Sequence, residues 1–119
     1  MNYKQRAWKK QRLIQSIDFK DRKEGSVKIY KNNTYLHELI KFQVCWKLKQ
    51  LGFDVYTECC INECRVDVAA ISPNSNGFIC EILNSESESR YDEKLNKYNI
   101  EWEMIKINCK DFCLDTFEL

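Results

Sequence analysis

Two carboxylates stand where a β-strand least readily accommodates them. Asp67 falls within Arg65-Val66-Asp67-Val68, and Glu81 is the only charge in Phe78-Ile79-Cys80-Glu81-Ile82-Leu83. Runs so rich in β-branched and apolar residues read as strands packed on a core. A carboxylate inside such a strand must face a polar site or be neutralised. Two of them on neighbouring strands form the simplest protein device for holding a magnesium ion.

The order of elements around this pair is legible from periodicity. Residues 4–18 read as a helix with Leu13, Ile14 and Ile17 on one side, and residues 26–30 alternate like a short strand. Asn32-Asn33-Thr34 supplies N-cap chemistry for a helix over 35–50, with Gly52 as its stop and Leu36, Leu39, Ile40, Val44, Leu48 and Leu51 as its apolar stripe. Strands follow at 53–61, 64–71 and 78–83, the first two joined by a turn at Asn62-Glu63 and the last two by the loop Ser72–Gly77. A helix over 90–98 and a strand over 102–107 complete the pattern, and residues 109–119 read as a short helix or a loose end. The order predicts an α/β (α+β mixed sheet) domain with helices packed on the sheet.

At 119 residues the chain has room for one core. Its 44% hydrophobic and 13% aromatic content excludes a wholly disordered chain. No run approaches the roughly 20 apolar residues of a membrane span, and no signal-peptide pattern opens the chain, so a soluble, intracellular and cytoplasmic protein is expected. The Lys/Asn/Ile-rich composition is compatible with an AT-rich archaeal or viral genome, in which case the compartment is the host cell.

The net charge of +1 conceals an asymmetry. Residues 1–33 hold ten Lys/Arg against three Asp/Glu, a net +7, and the remainder holds nine against fifteen, a net −6. The chain thus divides into a basic N-terminal extension, 1–33, and an acidic body, 34–119. A basic arm beside a carboxylate cluster suits phosphate-backbone binding, with Lys4, Arg6, Trp8, Lys9, Lys10 and Arg12 as an interleaved basic and aromatic surface. A solvated helix face is the plainer alternative.

Seven cysteines raise the question of a metal or a disulfide framework. Cys60-x3-Cys64 and Cys109-x3-Cys113 are looser than the paired Cys-x2-Cys of zinc sites. Cys59 and Cys60 point to opposite faces of one strand, Cys45 and Cys80 lie in apolar runs, and an odd count without a secretory signal argues for reduced core thiols.

The helix bearing Glu38, then Gly52-Phe53-x-Val55, Arg65-x-Asp67-Val68 and Glu81-Ile82, resembles the PD-(D/E)xK nuclease superfamily over roughly residues 34–107. The stretch from Glu81 through Glu93-Lys94-Leu95-x-Lys97-Tyr98 is most similar to its archaeal Holliday-junction resolvase and CoiA-like branches. The resemblance implies a restriction-endonuclease-like αβββαβ core carrying an N-terminal basic helical extension. It implies Asp67 and Glu81 as Mg²⁺ or Mn²⁺ ligands, completed by the Ile82 carbonyl, with Glu38 orienting water or a second ion. The reaction implied is phosphodiester hydrolysis of branched, single-stranded or replication-type DNA, without an organic cofactor. The partners implied are DNA and, since such enzymes commonly pair two sites, a second copy in a homodimer.

The chain departs from that pattern at Leu83, where the family's lysine belongs. Lys94, with Lys97 behind it, is the candidate replacement on the following helix; Ser85, Arg65 and Lys97 are candidate contacts to the nucleic acid. Each has a structural alternative. Asp67 could pair with Arg65, Glu38 could lie on the surface, His37 could cap the helix or be partly buried, Glu58 could solvate an edge strand, and Ser87 or Ser89 could cap a helix. Leu83 also favours a second function: a catalytically degenerate nuclease fold kept as a DNA-binding or protein-interaction module. A small cysteine-based metalloprotein or redox protein is a third, and the lack of a nucleophile elbow or a phosphate-cradling Gly-rich loop argues against a Ser-His-Asp hydrolase.

Overall fold

The computed structural model describes residues 1–83 and 101–119. Two helices, α1 (Tyr3–Ser16) and α2 (Tyr35–Gln50), accompany four strands: β1 (Asp54–Ile61), β2 (Cys64–Ile71), β3 (Gly77–Leu83) and β4 (Trp102–Asn108). The strands form one mixed sheet in the order β1-β2-β3-β4, antiparallel except for the parallel β3–β4 pair. The architecture is α+β. The 90–98 helix expected from the sequence lies outside the described residues.

Local chemistry explains the boundaries. Asn2 caps α1 in a reciprocal capping box with Gln5, and the Thr34 side chain accepts from the His37 amide to start α2. Asn62 and Glu63 both have positive φ, 51° and 66°, the signature of the type I′ turn that matches the twist of a two-residue hairpin. The β2–β3 loop closes through Ser72 and Asn76, whose backbones and side chains bond one another.

The sheet is covered on both faces. Ile40, Val44, Cys45 and Leu48 of α2 pack on Val55, Val68, Ala70, Cys80 and Ile82. The alternate residues Tyr56, Ala69, Ile71 and Ile79 meet Leu13 and Ile17 on the other face. Residues of the basic extension therefore belong to the core. The Trp102 indole donates to Ser16 Oγ at 2.9 Å, tying α1 to β4.

Three expectations change. Residues 26–30 form no strand: they run beside β1, but Thr57 Oγ1 takes the place of a ladder, accepting from the Lys28 amide and donating to the Ser26 carbonyl. The buried stripe of α2 is His37, Ile40, Lys41, Val44, Cys45 and Leu48, whereas Leu36, Leu39 and Leu51 face outward. The tail is neither helix nor loose end: Phe112, Phe117 and Leu119 pack on the α2 face and Cys109 N donates to the Leu83 carbonyl.

Candidate functional site

The β1–β2 ladder pairs Thr57 with Val68 and Cys59 with Val66, and lacks a rung between them, at Glu58 and Asp67. Glu58 there has φ of 47°, a left-handed conformation unfavourable for a residue with a Cβ. The distortion breaks the alternation. Tyr56 and Cys59 both face α1, and Glu58, between them, reaches Lys41 on α2. Strain of this kind persists only where surrounding contacts hold it, and those contacts are polar here.

Asp67 occupies the opening where β2 parts from β3. The last registered pair is Val68 with Cys80, and the next rung is supplied by the Asp67 carboxylate, which accepts from the Ile82 amide at 2.8 Å. Beyond the Val68–Cys80 pair, Asp67 stands beside Glu81 on the neighbouring strand. Two carboxyls on adjacent strands repel unless a proton or a cation lies near them. Glu81 is 2% exposed. Burial acts to raise the Asp67 pKa, but His37, Glu81 and the Ile82 amide beside it prevail and lower it.

His37 links this pair to a second carboxylate. Its Nε2 lies 3.3 Å from Asp67 Oδ2 and its Nδ1 lies 3.0 Å from Glu38 Oε1. Burial disfavours the imidazolium, but the two flanking carboxylates outweigh it and raise the His37 pKa above 6.5. Glu38 in turn receives Lys41 Nζ at 2.7 Å, Asn33 Nδ2 at 2.8 Å and the Tyr30 amide at 3.1 Å. Burial pushes its carboxyl up, yet the Lys41, Asn33 and His37 bonds hold it at about 2.

Lys41 is the deepest charge, with 0% exposure. Its ammonium has three protons and meets three acceptors: the Lys28 carbonyl at 2.5 Å, Glu38 Oε2 at 2.7 Å and Glu58 Oε1 at 3.0 Å. A lysine so saturated fixes its neighbours and has no proton to spare for a ligand. At the rim, the Arg65 guanidinium lies 3.8 Å from the Tyr30 ring centroid and 3.3 Å from Glu58 Oε2. The side chain is about half exposed, well placed for a phosphate.

Of the residues singled out in the sequence, Glu38, Asp67, Glu81, Ile82 and Arg65 gather here, but Glu38 reaches Asp67 only through His37. Asp67 turns to His37 and Glu81, while Arg65 turns to Glu58. Lys94, Lys97 and Ser85 lie outside the described residues. Leu83 is buried. Lys4, Arg6, Trp8, Lys9, Lys10 and Arg12 stand on α1, across the sheet from α2. Lys9 bonds Asn76 and Lys10 bonds Asp54, at the far end of the strands from Asp67, and Arg12 pairs with Glu101 and stacks on Trp8.

Sequence reading missed Lys41 and gave His37 too small a part. The spacing His37-Glu38-x-x-Lys41 was the available signal, since it puts a cation one turn after an acid on the same helix. Lys106 was also missed; it stands opposite Glu81 in the β3–β4 register.

The donor set at Asp67 suits a hard cation: two carboxyls on neighbouring strands and a strand backbone beside them, all oxygen ligands. Among the described residues, the one set of three His, Cys, Asp or Glu ligand atoms within 4.8 Å of one another is elsewhere, at Asp18, Asp21 and Cys60. Asp21 there accepts from the Cys60 amide and pairs with Lys28. Burial pushes the Cys45 and Cys59 thiols up to about 12, the neutral form rather than the metal-binding thiolate. No described helix is long and apolar enough to cross a membrane.

Comparison with protein-family models, with curated proteins and with solved structures returns no match.

Proposed function

We propose that the chain is a metal-dependent nuclease that hydrolyses phosphodiester bonds in DNA, with Asp67 and Glu81 at its centre. The observation that carries this reading is the placement of two carboxylate residues, Asp67 and the buried Glu81, on neighbouring strands at the opening between β2 and β3, with the Ile82 amide on Asp67. Asp67, Glu81 and the Ile82 carbonyl would hold Mg²⁺ or Mn²⁺. The cation, when bound, makes water a better nucleophile and offsets charge on the phosphate.

The side chains then divide the work. Lys41 fixes Glu38 and Glu58, Glu38 orients the His37 ring, and His37 presents Nε2 at the Asp67 side, where it holds or releases a proton. Arg65, stacked on Tyr30 and half exposed, engages the backbone phosphate. The restriction-endonuclease-like core is part of the same proposal: α2 followed by the β1-β2-β3 meander and parallel β4 is compatible with it.

A second reading, a catalytically inactive nuclease fold that binds DNA or protein, is favoured by Leu83, whose side chain is buried where the family carries a lysine. One experiment decides. Wild type and Asp67→Ala are incubated with single-stranded, duplex and four-way-junction DNA in Mg²⁺ or Mn²⁺. Cleavage by wild type that is lost in Asp67→Ala supports the nuclease. Binding without cleavage of any substrate supports the second reading.

A further inference from the structure

A cavity of about 630 Å³ lies between residues 27–33 and the first half of α2, and every residue that lines it is among the described ones. Small-molecule sites run to roughly 300–1,000 Å³, so the space is ample for one aromatic ring system. Val27, Ile29, Leu39 and Phe42 give it apolar walls, and Tyr30 and Tyr35 add two rings. Its polar groups are few and mostly committed. Glu38 and Lys41 are bonded within the network already described. Asn33 gives both Nδ2 protons to carboxylates, Glu38 at 2.8 Å and Glu58 at 3.2 Å. Its Oδ1 accepts from no other described residue, and the trigonal amide turns that oxygen away from both carboxylates. A flat ring with an N–H on its edge satisfies the walls and the open acceptor together.

The cavity adjoins the candidate site through Tyr30, whose ring carries the Arg65 guanidinium 3.8 Å from its centroid. Lys31, an exposed residue, lines the cavity as well. Two cations thus accompany it, as two phosphates accompany each base along a strand. We infer that the cavity receives one unpaired nucleobase of a DNA strand whose backbone lies on Arg65 and Lys31, an assignment that rests on the nuclease reading for the identity of the polymer. The base packs on the aromatic and aliphatic walls, and an N–H on its edge donates to Asn33 Oδ1. A base held in a duplex has that edge bonded to its partner and both faces stacked, so the site selects single-stranded or locally opened DNA. Asp67 and Glu81 alone do not make that distinction, since they act on the phosphate.

Fluorescence anisotropy of labelled DNA tests it, with EDTA present so that no cleavage intervenes. Wild type is titrated into a short mixed-sequence strand and into the same strand annealed as a duplex. The single strand should bind about 10-fold more tightly. Phe42→Ala and Ile29→Ala, each truncating an exposed wall residue, should abolish that preference with unchanged circular dichroism. Ile29 lies outside every helix and strand, so its variant keeps the test should Phe42→Ala disturb α2. Arg65→Ala should weaken both forms alike, because it meets the backbone. Equal affinity of wild type for the two forms overturns the inference and leaves the nuclease reading standing. So does a preference that survives both truncations. Binding to neither form overturns the nuclease reading, and this inference with it.

Discussion

His37 stands between Asp67 and Glu38, 3.3 Å from one and 3.0 Å from the other, so that one imidazole is shared by two carboxylates from different elements. Because it is the only histidine, its proton resonances titrate without overlap. Its midpoint should lie above 6.5, and Asp67→Asn should move it down by removing one of the two anions. Mg²⁺ at Asp67 and Glu81 should move it down as well, which detects the metal without reference to activity. A midpoint indifferent to both would remove His37 from the site.

The same network sets how stability depends on pH. Glu38 has a folded pKa of about 2 against an ordinary 4.5. Its contribution is therefore complete above about pH 4.5 and is lost as the pH falls toward 2. His37 works in the opposite sense. Its folded pKa is raised above 6.5, so its contribution is complete below that value and is lost as the pH rises through the folded pKa. Urea midpoints measured from pH 2 to 9 should show both limbs, with Glu38→Gln flattening the acid one.

Lys41→Met should destabilise the protein by about 3–5 kcal/mol, since it leaves Glu38 and Glu58 without the buried ammonium that neutralises them. Adding Glu38→Gln and Glu58→Gln to that variant should restore part of the loss. A single Lys41→Met change that costs under about 1 kcal/mol in urea unfolding would mean that the ion-pair network contributes little.

Two backbone positions give predictions of opposite sign. A Cβ at Gly77 would come within 2.9 Å of both Leu13 Cδ2 and Trp102 Cε3. Gly77→Ala should therefore cost about 1–3 kcal/mol by overpacking the α1 face. Glu63, exposed at φ 66° in the hairpin turn, should instead gain about 0.5–1 kcal/mol as Glu63→Gly, which supplies the Asn-Gly pair that a type I′ turn prefers. Thermal melts of the two variants should shift in opposite directions.

Much of the scaffold was legible in the chain. Helix 35–50 and strand 64–71 have the bounds expected, because Thr34 and Gly52 punctuate the one and the apolar run around Val66, Val68 and Ile71, bounded by the Asn62-Glu63 turn and Ser72-Pro73, makes the other. Asp67 and Glu81 were conspicuous as charges in apolar strands. Residues 26–30 were misread because alternation cannot distinguish a ladder from a segment held by one threonine 29 residues away. Lys41 escaped notice because a lysine on a helix is ordinarily a surface residue; only the arrival of Glu58, 17 positions on, makes a pocket for it. The two-sided apolar character of α2 was seen as a single stripe, since sequence shows how apolar a helix is but not which side the sheet will take.

The parallel pairing of β3 with β4 bears on how the chain assembles. The β1-β2-β3 meander is joined by residues 62–63 and 72–76, so its contacts form between near neighbours, whereas β4 joins β3 only across the interval 84–101. Closing that interval and docking α1 are the non-local steps that slow folding. The topology therefore predicts folding outward from the centre of the chain. On that expectation the meander comes first, and Trp102, which packs in the α1-side core and bonds Ser16, is the clasp expected to close last.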